Sequence, residues 1–314
     1  MTRFWTRDFL IALGLCVLLL AAPLVTRNES VFFLLSLIVI WSIFALAFDF
    51  CFGRGGILSF GHAAFFALGA YGYTWATMDL GLGFGAGLAM AILCGAVFAV
   101  IVGLVGQRVT GLYFALLTLM LAQLLAIIMV TRLRRFTGGD DGIAGVPRPM
   151  FGGIDFFETV NFFWLIAAIL LAVVVTMHVL NRSPLGQAIA GLKQNEERAR
   201  QIGFNTARLR LAVLSISGAY SGLAGALLGA LLMYVSPQLL SWKVSGDVLI
   251  MALLGGTGTL AGPILGVTLF ELLKEVLSSY TEYWYGILGI TFILCTIFLP
   301  KGVVSLLLGR DKSR

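Results

Sequence analysis

The chain has 314 residues, 60 % of them hydrophobic and only 11 % charged, with a mean hydropathy of +1.00. A soluble domain is about 45 to 50 % apolar and about 25 % charged, so a water-soluble enzyme is excluded and a polytopic membrane protein is expected. The net charge of +6 is read as the charge of cytoplasmic loops and not as a nucleic-acid surface.

Uninterrupted apolar stretches cover 9–25, 31–50, 57–76, 82–106, 112–130, 161–180 and 211–235, each long enough for a bilayer core of about 30 Å. Arg3 and Arg7 precede the first, which lacks a small-residue cleavage site and is therefore expected to be a retained helix and not a signal peptide. Two further stretches follow at 247–277 and 283–299. Basic residues cluster at both ends and in one loop, with Arg182, Lys193, Arg198, Arg200, Arg208 and Arg210 in the loop and Lys301, Arg310, Lys312 and Arg314 in the tail. These places are expected inside. With both ends inside the number of crossings is even, so the 247–277 stretch must break. Gly255-Gly256-Thr257-Gly258-Thr259-Leu260-Ala261-Gly262-Pro263 is where it breaks, because glycine is unrestrained and proline lacks a donor. The result is an all-α bundle of about ten spans with short or broken helices, which places 14 of the 21 Lys and Arg residues inside and 7 outside. The whole of 1–314 is expected to form one transmembrane domain.

Irregular backbone at membrane depth is tolerated only where it is buried in protein or lines a wet cavity. Gly255, Gly256 and Gly258 are therefore candidate pathway residues, and so are Ser59, Gly61 and His62, which follow a second glycine cluster at Gly53, Gly55 and Gly56. Asp49 and Asp247, near span ends, are expected to be hydrated. Between the fifth and sixth spans, Thr137-Gly138-Gly139-Asp140-Asp141-Gly142 reads as an acidic turn on an outward loop. Asp140 and Asp141 are its candidate docking residues. The four cysteines (Cys16, Cys51, Cys94 and Cys295) form no CxxC pair, and His62 and His178 have no second ligand at metal spacing, so no metal site is expected. Ser221 beside Gly222 looks faintly like a hydrolase nucleophile, yet no histidine follows it. The spacing of Gly218, Gly222, Gly225 and Gly229 reads instead as close helix packing.

The polar segment 182–207 is the most informative. Pro184 suits a first helical turn and Gly203 a helix terminus, so one polar helix is expected between two spans. Ala188, Leu192, Ala199 and Ile202 are placed on a modest apolar face able to enter a groove on a soluble partner. The spacing Glu197-x-Ala199-xxx-Gly203 resembles the coupling motif of ABC importer permeases. The order of five pieces is similar to the branched-chain amino acid permeases of the LivM type: GGILSFGHAAFFALGAY at 55–71, FTGGDDGIAGVP at 136–147, RSPLGQAIAGLKQNEERARQIGFN at 182–205, SGAYSGLAGAL at 217–227 and LLGGTGTLAGPILG at 253–266. Arg198 stands where the motif has its first alanine, and Gln187 where the family commonly has arginine.

The resemblance implies a multi-pass permease of the bacterial inner membrane, in contact with membrane lipid and with no nucleic acid. Its partners would be a sister permease, two cytoplasmic ATPase subunits and a periplasmic substrate-binding protein. Glu196, Glu197, Arg198, Ala199 and Gly203 would couple to an ATPase. No GxxxxGK[ST] phosphate loop occurs, so the chain is not expected to be an enzyme or to hold a cofactor, ATP and Mg belonging to the partners. The implied cargo is a branched-chain or other hydrophobic amino acid. Alternatives are urea or short amides within the same family, or an ion-coupled secondary transporter, which would place ionisable residues in the bundle interior.

Overall fold

The computed structural model describes residues 2–21, 28–151, 154–299 and 302–308. The end of the first apolar stretch at 22–25 and the basic tail residues Lys301, Arg310, Lys312 and Arg314 lie outside them, as does the side chain of Arg3. Helix α1 spans Thr2–Ala21. Helix α2 spans Glu29–Asp49 and runs on through a π turn at Phe50–Arg54. Its first turn is capped by Asn28, whose side chain accepts from Ser30 N at 3.1 Å. Helix α3 covers His62–Thr74 and ends in a second π turn at Trp75–Asp79. The expectation that this span begins at Ile57 is corrected: residues 57–60 are not helical. Helices α4 (Phe84–Val105) and α5 (Gly111–Thr131) follow.

The connection after α5 holds a one-turn helix α6 (Arg134–Thr137), a 3₁₀ turn at Gly139–Asp141 and three two-residue strands, β1 (Ile143–Ala144), β2 (Met150–Phe151) and β3 (Ile154–Asp155). Then come α7 (Thr159–Arg182), α8 (Pro184–Gln194), α9 (Glu196–Gln201), α10 (Thr206–Leu232), β4 (Tyr234–Val235) and a 3₁₀ turn at Pro237–Leu240. The chain closes with α11 (Trp242–Gly255), α12 (Ala261–Tyr280), α13 (Trp284–Phe298) and α14 (Val304–Leu308). β1 pairs antiparallel with β4, Ile143 opposite Val235, and β2 with β3.

Among the described residues five helices are long and apolar enough to cross a membrane: Glu29–Arg54, Phe84–Val105, Gly111–Thr131, Thr159–Arg182 and Thr206–Leu232. Their apolar residues run around the whole helix, so glycine, and not an apolar stripe, marks the buried side. Helix α10 is the hub. A methyl at Gly225 would overlap the Phe66 carbonyl of α3, one at Gly69 would overlap the backbone of Gly222, and one at Gly218 would overlap Ala99 of α4. The hydrolase resemblance at Ser221 ends there, because its hydroxyl donates to Ser217 O at 2.8 Å inside this packed seam. Phe44 of α2 stacks beside Phe66 with ring centroids 4.5 Å apart, and both are fully buried.

Candidate functional site

The connecting segment between α7 and α10 is two helices, not the single one expected. Its residue types show why. Ser183 takes Gly186 N on its hydroxyl at 3.2 Å, with Pro184 in the first turn of α8. Asn195 ends α8 in extended conformation and caps α9, its side chain accepting from Arg198 N at 2.9 Å. Glu196 and Glu197 then occupy the first turn of α9, where the helix dipole favours them. Gly203 closes α9 with φ +98°, which a side chain would resist. Its N–H donates to Arg200 O at 3.0 Å and Phe204 N to Ala199 O at 3.1 Å, the paired bonds of a left-handed glycine cap.

This geometry sorts the five candidate coupling residues. Glu197, Arg198 and Gly203 are exposed, Glu196 is half-buried with a loose 4.0 Å ion pair to Arg200, and Ala199 is buried. The expected apolar face is divided. Leu192 and Ala199 turn inward, whereas Ile202 is 70 % and Phe204 47 % exposed. Ile202 and Phe204, with Ala188, Gly191 and Arg198, line an open groove of about 510 Å³ along α8 and α9. A groove with apolar residues beside the polar Gln187, Gln194, Asn195 and Arg198 suits a helix or loop of a second protein.

The helix break at Gly255–Pro263 is present, with α11 ending at Gly255 and α12 starting at Ala261. Its amides are filled by carboxylates. Asp49 takes Gly258 N on both oxygens at 2.9 and 3.0 Å, and Asp8 takes Leu260 N at 2.8 Å and Ala261 N at 3.1 Å. The expectation that Asp49 is hydrated is therefore corrected: it is 4 % exposed and Asp8 2 %. Asp247 is half-buried, and α12 carries a second charge that sequence reasoning missed, Glu271, 2 % exposed and bridged to Lys274 at 3.1 Å. The signal was present, since a carboxylate within an apolar stretch is expensive unless paired.

Ser59, Gly61 and His62 are brought together, the Ser59 hydroxyl taking Gly61 N at 3.2 Å. His62 Nε2 lies 2.8 Å from the Ser217 hydroxyl, which donates to Ala47 O at 2.7 Å, and His62 Nδ1 lies 3.3 Å from the Ser59 carbonyl. Ser59 and His62 are fully buried. Among the described residues no group of three His, Cys, Asp or Glu side chains converges as a metal site would require.

At the opposite end of the bundle from the α8–α9 segment, Asp140 and Asp141 stand exposed on the 3₁₀ turn. The turn is tied down by its backbone: Tyr234 Oη donates to Asp141 O at 2.8 Å and Trp75 Nε1 to Phe136 O at 2.7 Å. Arg148 anchors the same connection and was not foreseen. Its guanidinium donates to Ala230 O at 3.2 Å, Leu231 O at 2.7 Å and Phe157 O at 2.7 Å, and it lies 5.2 Å from the centre of the Phe162 ring. Burial pulls its pKa below the usual arginine value.

The family model described as "Branched-chain amino acid transport system / permease component" matches residues 30–296. The high-affinity branched-chain amino acid transport system permease protein LivM of Escherichia coli is 31 % identical over 321 residues, 95 % of this chain and 75 % of the relative. Its counterpart in Salmonella typhimurium is 30 % identical with the same coverage. The autoinducer 2 import system permease protein LsrC of Yersinia pestis is 27 % identical over 209 residues, 64 % of this chain and 58 % of the relative. No solved structure gives a significant match.

Proposed function

Because the chain belongs to the family of branched-chain amino acid transport system permease components, we propose that it is the membrane permease subunit of an ATP-driven importer for branched-chain or other hydrophobic amino acids. It sits in the bacterial inner membrane beside a sister permease. Two cytoplasmic ATPase subunits bind at α8 and α9, and a periplasmic binding protein delivers substrate at the Asp140–Asp141 turn. Adding α1, α3, α11, α12 and α13 to the five long apolar helices gives ten crossings, with α8, α9 and the α11–α12 break on the inner side. The observation that carries this reading is the α8–α9 segment. Its exposed Glu197, Ile202 and Phe204 surround a capped, preorganised pair of short helices on the face where basic residues concentrate.

A permease of this kind does work by having two states for which the ATP-bound partner has different affinity. Glu197 presents a charge and Ile202 an apolar anchor, and the left-handed cap at Gly203 keeps the end of α9 from fraying. Ser59, Gly61 and His62, and the Gly255, Gly256 and Gly258 turn, are where the bundle departs from regular helix, and the route between states passes there.

The test is to purify the chain with its natural neighbours and reconstitute it in liposomes. Two ATPases and a second membrane subunit are expected, with ATP-dependent uptake of leucine, isoleucine or valine. Uptake of urea or short amides in their place would move the substrate within the family, as the autoinducer 2 relatives show is possible for permeases of this kind. Uptake by the chain alone without ATP would overturn the proposal in favour of an ion-coupled transporter.

A further inference from the structure

The α11–α12 turn is held by residues from three distant parts of the chain. At it Asp49 at the end of α2 accepts the Gly258 N–H between its two oxygens and Asp8 on α1 accepts two amides, and both carboxylates are shielded from solvent. Gly53, one turn beyond Asp49, lies so close that a methyl there would overlap both the Asp49 carboxylate and Gly258 N. The carbonyl of Gly53 in turn accepts the ammonium of Lys193 from α8. Lys193 also lies against Gly56, where a methyl would come within 3.0 Å of its Cγ. Arg54, 7 % exposed, adds a second cation near both carboxylates, so two negative and two positive charges meet between the connecting segment and the helix break. The chain after α13 closes the same spot, Val303 N donating to Leu254 O at 2.9 Å.

From this continuity we infer that Lys193, Asp49 and Asp8 are positioning residues for transport: Lys193 and Asp49 fasten the α11–α12 turn to α8 through Gly53, and Asp8 fastens it to α1, so that displacement of the connecting segment carries the turn with it. The inference rests on the ATP-driven reading above. Charge-assisted bonds in a dry setting are short and directional, and Gly258, Leu260 and Ala261 have no neighbouring turn to take their amides. A shift of α8 by one or two ångströms, the scale of helix motions in switching proteins, must break these bonds or move the turn. Losing the Lys193 bond strands the buried Gly53 carbonyl, and losing the Asp49 bond strands the Gly258 N–H, so moving the turn is the cheaper response.

Two measurements on the full complex test this. Hydrogen exchange is followed over the 254–262 backbone in wild type, Lys193→Met and Asp49→Asn. Lys193 touches none of the amides of Gly258, Leu260 and Ala261, yet Lys193→Met is expected to speed their exchange by about tenfold, the loss expected when a charged hydrogen-bond partner upstream is removed. Unchanged exchange in Lys193→Met overturns the relay, and because Lys193 is on the surface this variant decides even if Asp49→Asn fails to fold. The second readout is substrate moved per ATP hydrolysed. Lys193→Met should lower the ratio while hydrolysis continues, and Lys193→Arg should restore it. Uptake and hydrolysis falling in the same proportion would mark a merely structural role and overturn the inference. Wild-type transport that needs no ATP would instead remove the functional reading on which it rests.

Discussion

Arg148 offers the most direct test of how the outer connection is held. Replacing it with Met keeps the length and apolar stem of the side chain and removes the three nitrogens that donate. The carbonyls of Ala230 and Leu231 belong to the last turn of α10, where no intrahelical donor remains. Hydrogen bonds to a charged group contribute about 1.5 to 3 kcal/mol each, but the three share one guanidinium, so the loss is about 3 to 5 kcal/mol. At about 2 °C per kcal/mol for a chain of this size, the melting midpoint in detergent should fall by about 6 to 10 °C. Arg148→Lys should recover less than half, because one ammonium cannot reach three carbonyls set around a planar fork. A midpoint within about 2 °C of wild type for Arg148→Met would refute the reasoning.

The surface and the core separate cleanly in the other variants. Glu197→Lys, at an exposed position, should leave insertion and melting unchanged while abolishing uptake; Gly203→Pro, which removes the cap N–H and forbids φ +98°, should abolish uptake with some fraying of α9. Normal uptake in both would sink the coupling assignment. Asp140→Lys with Asp141→Lys should weaken stimulation by the binding protein, most at low salt where attraction is least screened, and unchanged stimulation at low salt would remove that role. Gly225→Leu should yield no monodisperse protein, because its side chain collides with the Phe66 carbonyl and the α3–α10 seam cannot open without losing its packing. His62→Leu should cost about 1 to 3 kcal/mol through the stranded Ser217 and Ser59 groups while leaving KM unchanged; a changed KM at wild-type stability would put His62 in contact with substrate.

The five long apolar spans were legible because length and apolar run define them whatever packs against them, and the 255–263 break because glycine and proline act locally. The division of the connecting segment is also written locally: Asn195 followed by Glu196 and Glu197 is a helix start, but it sits inside a good helical run that masks it. Asp49 and Asp8 were not legible. Their partner is backbone more than 200 residues away, freed only because α12 begins at the turn, and nothing near either aspartate announces that. The hidden register of α3 has the same origin, since the amides of Phe60 and Ala63 at its start are taken by Thr118 and Ser245 on other helices.

These bonds share one logic. A helix that starts inside an apolar bundle leaves amides that water cannot reach, and each must find a side chain. Thr118 of α5 takes Phe60 N at 3.0 Å, Ser245 of α11 takes Ala63 N at 3.0 Å, Asp49 takes Gly258 N and Asp8 takes Leu260 and Ala261. The polar residues of this apolar chain are thus largely spoken for by its own broken helices. A polar residue near membrane depth is then weak ground for a substrate contact. The better sign is a bond that must be broken for the helices to move, and by that measure the α11–α12 turn, gripped from α1 and α2 and tied to α8 through Gly53 and Lys193, is where the proposed ATP-driven motion would have to act.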